Sequence, residues 1–320
     1  MSTSKCKGIK AFSFKKPQFK HTRKKEDAAG PRLRVDRADF LRSIAFLAPS
    51  VLGVMLFFIL PFCVVVYYSV IESPLNHNFV FLDNFIRVIN NLSFRVAVKN
   101  TVLFSISAVP LAVVLSLVLA LILEAKIPLK SQFRTFFLSP MMVPIASVVL
   151  IWQVVFHYNG TLNAFLANFS VDKIDWLKSQ YCLVVIVILF LWKNLGYNMI
   201  LFMAALNNIP RELLEVAEVE GASKLHQFFH IKLRYLSPTV LFVTILSLIN
   251  SFKIFREIYL LTGDYPYEGL YMMQHFMNNT FQSLDYQKLS AAAVLMALVM
   301  VVIIALLFAV EDRFGRDVEG

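Results

Sequence analysis

The stretch that decides the fold is IPRELLEVAEVEGASKLHQFFHIKLRYLSP, residues 209–238. This polar, charged stretch lies between two long apolar runs and is too long for a tight turn. Asn208 can act as a helix N-cap, and Pro210 suits the first helical position, where its missing N–H costs nothing. Gly221 predicts a helix stop because glycine accepts the left-handed conformation, and Ser223 can cap a second short helix. The stretch therefore predicts a helix–glycine–helix elbow, the name kept below for residues 209–238.

The composition points to a membrane protein. Of the 320 residues, 58% are hydrophobic and only 16% are charged, and 30 are phenylalanine. Soluble domains carry about 25% charged residues. A protein of this composition has no aqueous fold that could hide its apolar surface, so we expect the lipid bilayer to be its solvent.

Six apolar runs are long enough to cross a bilayer core, which takes about 20 residues per helix. They cover residues 43–71, 98–123, 135–157, 181–206, 238–261 and 289–310. The sequence thus predicts an all-α membrane protein with six transmembrane helices and an elbow between the fourth and the fifth. The transmembrane domain is expected at 43–311, between an arm at 1–42 and a tail at 312–320. Pro140 and Pro144 predict a kink or a break in the third run.

Basic residues are distributed unevenly among the connections. The arm at 1–42 carries 13 Lys and Arg residues against four acidic ones, a net charge of +9, and its composition predicts disorder. The loops at 124–134 and 207–237 are richer in Lys and Arg than the alternate loops. By the positive-inside rule, both termini and the elbow are expected in the cytoplasm. The arm is expected to touch anionic lipid headgroups rather than nucleic acid.

The sequence contains no recognisable catalytic or metal-binding pattern. Cys6, Cys63 and Cys182 show no CxxC pairing and no metal-ligand spacing with the histidines, so they are interpreted as small hydrophobic residues. The G-x-x-x-x-G-K-[ST] motif is absent, so the protein should not bind ATP through a P-loop. We therefore expect no enzymatic activity, no metal site and no bound cofactor in this chain.

The elbow resembles a cytoplasmic loop of ABC-importer permeases. That loop reads E-A-A, two residues, D-G-A, and about eight residues later I-x-L-P. The triplets E-V-A at 215–217 and E-G-A at 220–222 match the two triplets of the family. Ile231 and Leu233 match the end of the loop, whereas Arg234 stands where the family has proline.

Further matches follow in order over about residues 40–315. They include W-K-N-L-G at 192–196, which runs into the elbow, and S-F-K-I-F at 251–255. Together these motifs resemble the sugar-type, maltose-permease-like branch of binding-protein-dependent importers.

The resemblance implies a permease subunit in a bacterial-type inner membrane that forms the translocation path for a polar solute, first of all a carbohydrate. The implied partners are a second permease subunit, two ATPase subunits that bind the ATP, an extracytoplasmic solute-binding protein and membrane lipid. The residues implied to couple to the ATPase are Glu215, Ala217, Glu220, Gly221 and Ala222. Two other classes are weighed against this interpretation. An ion-coupled secondary transporter of a small polar solute would predict inverted repeats, and the elbow and the absence of a clear internal repeat argue against it. A membrane-embedded enzyme would need a paired acid–base or metal constellation, which the sequence does not show.

Polar side chains inside the fourth and fifth runs are candidates for the transport path. Lys193, Asn194 and Tyr197 lie near the middle of the fourth run, and Asn250 and Ser251 lie in the fifth. Such residues usually face a cavity or a partner because a polar group in hydrocarbon is costly. The alternative is that Asn and Ser tie the helices together, and that Lys193 pairs or snorkels.

A neighbouring charged pair has a simpler interpretation. Arg256 and Glu257 follow the polar part of the fifth run and lie near its outer end. We expect them to form an ion pair at the surface.

Overall fold

The computed structural model describes residues 37–125 and 128–315, with side chains from residue 44 to residue 313. The basic arm up to residue 36, Lys126 and the end of the tail lie outside the described residues. In the described part the protein is helical, and its β structure is one isolated bridge between Ile71 and Phe79. The all-α prediction is confirmed.

The helices are named here in sequence order. The described helices are α1 (Arg37–Val54), α2 (Leu60–Ser69), α3 (Asp83–Asn90), α4 (Leu92–Glu124), α5 (Lys130–Met142), α6 (Ile145–Phe156), α7 (Thr161–Ala167), α8 (Cys182–Asn207), α9 (Arg211–Val219), α10 (Lys224–Gln227), α11 (Leu233–Phe252), α12 (Phe255–Thr262), α13 (Met273–Gln282) and α14 (Tyr286–Gly315). Short π-helical segments cover Met55–Ile59 and Phe228–Lys232, and a 3-10 turn covers Glu268–Leu270.

Within the described ranges, six helical segments are long and apolar enough to cross a membrane. They are Ile44–Ser69, Leu92–Glu124, Ile145–Ala167, Cys182–Asn207, Lys224–Thr262 and Tyr286–Arg313. The number six agrees with the sequence prediction. The second segment begins earlier than predicted because polar residues from Leu92 onward extend α4 before its apolar run, and the fifth begins earlier because α10 and the π-helical segment of the elbow run on into α11.

The third span differs most from its prediction at 135–157. The helix stops at Met142 and starts again at Ile145, as the two prolines in this run predicted. Val143 is extended at ψ 130° because the following Pro144 disfavours the helical conformation at the residue before it. The candidate span is therefore Ile145–Ala167, and α5 is a separate helix that packs on α8.

The protein divides into two compact units, Met1–Leu56 and Phe57–Gly320. The described part of the first unit contains α1. In the second unit, α4 and α8 pack along each other and form the centre of the bundle. Phe104 of α4 and Phe190 of α8 are fully buried and meet edge to face, with 5.5 Å between ring centroids.

One glycine sets how closely α5 approaches α8. At Gly196, an added Cβ would lie 1.8 Å from the carbonyl oxygen of Phe137. Any side chain larger than hydrogen is therefore incompatible with this packing, and the missing Cβ lets α5 lie directly against the middle of α8. The end of α5 also contributes Met141 to the cavity described below.

The N-terminal part of α4 is hydrogen-bonded to the segment that follows α12. The Asn100 side-chain amide donates to the carbonyl oxygens of Glu268, at 2.6 Å, and Tyr271, at 3.1 Å. The Thr101 hydroxyl accepts a hydrogen bond from the backbone N–H of Met273 at 2.9 Å. These bonds satisfy backbone groups of an irregular connection, and they fix α12 and α13 against the bundle.

Candidate transport path and elbow

A cavity of about 330 Å³ lies among α5, α8, α11 and α12. Of the five residues predicted for a transport path, it is lined by Lys193, Asn194, Tyr197 and Asn250. The helical spacing explains this arrangement, since residues three and four apart on α8 share one face. The remainder of the lining comes from Met141, Phe190, Leu246, Lys253, Ile254, Arg256 and Glu257.

The two predicted asparagines meet at this cavity. The Asn250 amide donates to the side-chain oxygen of Asn194 at 3.0 Å, and the Asn194 amide donates to the Phe190 carbonyl at 2.8 Å. Both side chains are half-buried. The pair therefore joins α8 to α11 and also presents polar atoms to the cavity, so both interpretations from the sequence apply to the same two residues.

Lys193 forms an ion pair with Glu257, and the Glu257 side chain is only 4% exposed. The expected surface pair of Arg256 with Glu257 is wrong. Glu257 begins the buried face of α12 and points toward Lys193 of α8, whereas Arg256 is exposed at the same cavity. A carboxylate at this depth needs a partner, because a buried charge without one is strongly destabilising.

Ser251 does not line this cavity. Its hydroxyl lies 2.9 Å from that of Ser105 on α4 and donates to the Leu248 carbonyl at 2.7 Å, and the residue is 1% exposed. Asn198 and Ser247 form a similar buried pair between α8 and α11, at 2.9 Å. These contacts are interhelical hydrogen bonds of the kind that hold membrane bundles together.

Sequence reasoning missed Lys253 and Arg256 as cavity residues. The helix is interrupted between Phe252, the end of α11, and Phe255, the start of α12. The turn brings both cations to the mouth of the cavity. The available signal was the presence of two basic residues inside an apolar segment, but their direction depends on the interruption.

The elbow has the predicted helix–glycine–helix geometry. Gly221 follows α9 in the left-handed region at φ 83°. Its N–H donates to the Glu218 carbonyl at 3.1 Å, and the Ala222 N–H donates to the Ala217 carbonyl at 2.9 Å. This pair of bonds is a Schellman motif, which satisfies the last carbonyls of the helix.

The two caps of the elbow differ in how well they were predicted. The Ser223 hydroxyl accepts from the His226 N–H at 3.3 Å, so the predicted cap of the second helix is confirmed. Asn208 instead ends α8, and Pro210 directly precedes α9 rather than starting it. The Lys232 ammonium binds the Glu124 carboxylate at 2.7 Å, which ties the end of the elbow to the end of α4.

The predicted coupling residues fall into two groups by exposure. Glu215, Glu220 and Gly221 are exposed, whereas Ala217 is 8% exposed and Ala222 is half-buried. The most exposed apolar side chains of the elbow are those of Val219 and Leu225. The elbow thus offers a surface of carboxylates and exposed apolar groups, and Ala217 packs beneath it.

Comparison with known proteins gives one family match. Residues 108–320 match the family described as "Binding-protein-dependent transport system inner membrane component". The matched range contains the residues that line the cavity and the elbow. It also contains α8, which leads into the elbow, and α11, which follows it.

Curated relatives match along most of the sequence. The trehalose/maltose transport system permease protein MalF of Thermococcus litoralis is 30% identical over 84% of this chain and 92% of its own length. The arabinooligosaccharides transport system permease protein AraP of Halalkalibacterium halodurans is 28% identical, over 77% and 82%. The sulfoquinovosyl glycerol transport system permease protein SmoG of Agrobacterium fabrum is 28% identical, over 82% and 87%.

A solved structure shares the fold. One subunit of a bacterial ABC transporter "involved in the import of the acidic polysaccharide alginate" superposes with a TM-score of 0.76. The match covers 87% of this chain and 96% of that subunit at 22% sequence identity. At this identity, the likeness shows that the two proteins share a fold.

Proposed function

Because the chain belongs to the family of binding-protein-dependent transport system inner membrane components, we propose that it forms the path for a carbohydrate in an ATP-driven importer. The sequence prediction of an importer permease is confirmed by the family match, as is the prediction that the protein is not an enzyme. It is a multi-pass protein of the inner membrane. The family match gives no support to the ion-coupled alternative.

The observation that carries the proposal is the polar cavity between α8 and α11. It lies inside segments that are otherwise apolar enough to span a bilayer. A polar group left unpaired in hydrocarbon is destabilising by several kcal/mol. Full transfer of such a group from water to a medium that cannot hydrogen-bond costs about 4–8 kcal/mol. A cavity lined by amides and a phenol is therefore a place for water or a hydroxylated solute.

A carbohydrate suits this lining. Asn194 and Asn250 offer amide donors and acceptors at the cavity, and Tyr197 adds a ring with a hydroxyl group. The relatives compared above carry names of sugar and glycoside transport systems. We place Lys193 beside the path as the partner of Glu257, and Ser251 behind it as a support for α11.

Energy is proposed to come from separate subunits. ATP would be bound by two ATPase partners, and this chain would bind no cofactor of its own. Their docking surface is the elbow, through Glu215, Glu220 and the turn at Gly221, with Ala217 and Ala222 supporting it from below. A rigid turn supported by a Schellman motif and by the Lys232–Glu124 pair can pass a displacement to α11.

The orientation and the remaining partners follow from the same scheme. The elbow, the arm at 1–42 and the tail at 312–320 face the cytoplasm, and residues 43–311 form the permease domain. The arm touches anionic lipid. A second permease subunit completes the path, and an extracytoplasmic solute-binding protein delivers the cargo at the opposite side.

Reconstitution tests the proposal. The protein would be assembled with its second permease and two ATPase subunits in proteoliposomes, and uptake of a radiolabelled oligosaccharide would be followed. We expect uptake that needs both ATP and the binding protein. Uptake that an ion gradient drives without ATP would overturn the proposal.

Orientation has its own measurement. A reporter that is active only outside the cytoplasm would be attached after residue 220 and, in a second fusion, after residue 170. We expect activity only at residue 170. The reverse pattern would invert the topology and remove the elbow from the cytoplasm.

A further inference from the structure

The cavity between α8 and α12 carries an excess of positive charge. Three cations, Lys193, Lys253 and Arg256, line it together with one carboxylate, that of Glu257. Lys193 neutralises this carboxylate. Among the residues that the structure describes, no acidic side chain lies within ion-pair distance of Lys253 or Arg256.

The two remaining cations belong to one turn. The Arg256 N–H donates to the Lys253 carbonyl at 3.3 Å, so the two residues are held three positions apart where α11 gives way to α12. Residues at this spacing lie on the same side of a helical turn. Both side chains are exposed, and both also line a second cavity of about 540 Å³.

The second cavity adds aromatic rings to the cations. Phe255 and Tyr259 lie along it, with 5.4 Å between their ring centroids, and Gln274 of α13 lies across from them. The cations thus stand between an amide pair on one side and two aromatic rings on the other. This combination offers ion pairing, hydrogen bonds and an apolar platform to a single solute.

Cations on a candidate membrane-spanning segment call for an anion or for water. A charged side chain within a membrane span costs at least a few kcal/mol unless it is paired or lies in a water-filled path. Lysine and arginine bind phosphate, sulfonate and carboxylate groups through short, charge-assisted hydrogen bonds. Two unneutralised cations beside a cavity also raise the local concentration of anions and disfavour cations.

We propose that the cargo is an anionic carbohydrate or polyol, bearing a phosphate, sulfonate or carboxylate group that Lys253 and Arg256 bind. Its hydroxyl groups contact Asn194 and Asn250. The inference rests on the proposed transport function and narrows its substrate class. Because Lys253 and Arg256 bind the anionic group of the cargo, the path selects against neutral sugars of the same size.

The experiment compares matched ligands on the assembled complex in nanodiscs. Binding would be measured calorimetrically for glycerol against sn-glycerol 3-phosphate and for glucose against glucuronate. The complex should bind the anionic member of at least one pair about tenfold or more tightly, the factor that corresponds to one hydrogen bond to a charged group. Lys253→Gln and Arg256→Gln should each remove this preference. Lys178→Gln, which replaces an exposed cation that lines neither cavity, should leave it unchanged.

The outcomes separate the two proposals. Equal binding of neutral and anionic members, with transport of a neutral sugar, would overturn the anionic cargo and leave the transport function standing. A lower amount of assembled complex in both glutamine variants, with an unchanged ligand preference in the complex that still assembles, would show that the cations pair with the second permease, which also overturns the anionic cargo. If wild-type complex takes up no solute with ATP and binding protein, the transport function itself fails. The two ligand pairs distinguish phosphate from carboxylate as the recognised group.

Discussion

The elbow and the cavity are the two polar regions of an apolar protein, and they are built in opposite ways. In the elbow, the bonds that fix the turn at Gly221 and the cap at Ser223 join residues three to five positions apart, such as Ala222 to Ala217, and the Lys232–Glu124 pair ties only the end of the elbow to a distant helix. In the cavity, Asn250 binds a residue 56 positions away and Glu257 one that is 64 away. A locally built region keeps its shape when its surroundings change, whereas a region built from distant contacts changes with the packing of whole helices.

The difference suits the proposed roles. A docking surface has to stay rigid while it transmits a displacement, and a path has to open and close. Bistable packing between helices can supply such a change, because interfaces switch between discrete arrangements. We therefore expect substitutions in the cavity to affect the assembled bundle, and substitutions in the elbow to affect coupling while the bundle stays intact.

The largest expected effect is that of Lys193→Leu. It leaves the buried Glu257 carboxylate without its cation, which costs about 3–5 kcal/mol in buried pairs. We expect about 3 kcal/mol here, since the Lys193 side chain is 35% exposed and water replaces part of the interaction. Thermal unfolding of the purified complex measures the loss.

Two controls sharpen this prediction. The double variant Lys193→Leu with Glu257→Leu should recover most of the stability, because it removes the unpaired charge. Arg87→Leu breaks an exposed pair with Asp83 and should cost about 1 kcal/mol or less. A Lys193→Leu effect no larger than that of Arg87→Leu would mean that the pair is solvated and that the cavity is not held by it.

The next effect concerns the close contact between α5 and α8. Gly196→Ala places a methyl group 1.8 Å from the Phe137 carbonyl oxygen, so α5 must move away from α8. Overpacking of this kind costs about 1–3 kcal/mol. Thermal unfolding and the amount of assembled complex measure it. Gly53→Ala is the matched control, since an added Cβ there meets nothing within 4 Å. Equal behaviour of the two variants would contradict the close approach.

The cavity and the elbow show which features of the protein could be predicted from the sequence. Asn194 and Asn250 were found because amides stand out in apolar runs, and the elbow was found because Gly221 and Ser223 act through their own neighbours. The partner of Glu257 was missed because the interruption at 253–254 turns α12, and no local pattern gives the register after a turn. The same holds for the third run, where the prolines predicted the break between α5 and α6 but not how α5 packs on α8.

The elbow is tested by Gly221→Val. A β-branched residue is strained at φ 83°, at about 1–3 kcal/mol, although an added Cβ would meet nothing within 4 Å. The effect should therefore stay local. We expect reduced co-purification of the ATPase and reduced stimulation of ATP hydrolysis by the binding protein, with unchanged thermal unfolding of the bundle. Gly221→Asn is the control, since asparagine tolerates the left-handed region. If the valine variant couples as well as the asparagine variant, the turn does not position the docking surface.

A small effect on stability is expected at Asn250, where the bonding of two helices and the lining of a path coincide. Asn250→Leu removes the hydrogen bond to Asn194, and such interhelical bonds contribute about 1 kcal/mol. If the pair only joins the helices, the amount of assembled complex should fall while uptake per complex stays constant. If it lines the path, uptake per complex should fall or the preference among solutes should change.

Asn198→Leu is the matched control, because Asn198 makes a similar bond to Ser247 but is 1% exposed and does not line the cavity. We expect Asn250→Leu, and not Asn198→Leu, to lower uptake normalised to assembled complex. The same normalised uptake in both variants would mean that Asn250 does not line the path and that its bond to Asn194 only joins α8 to α11.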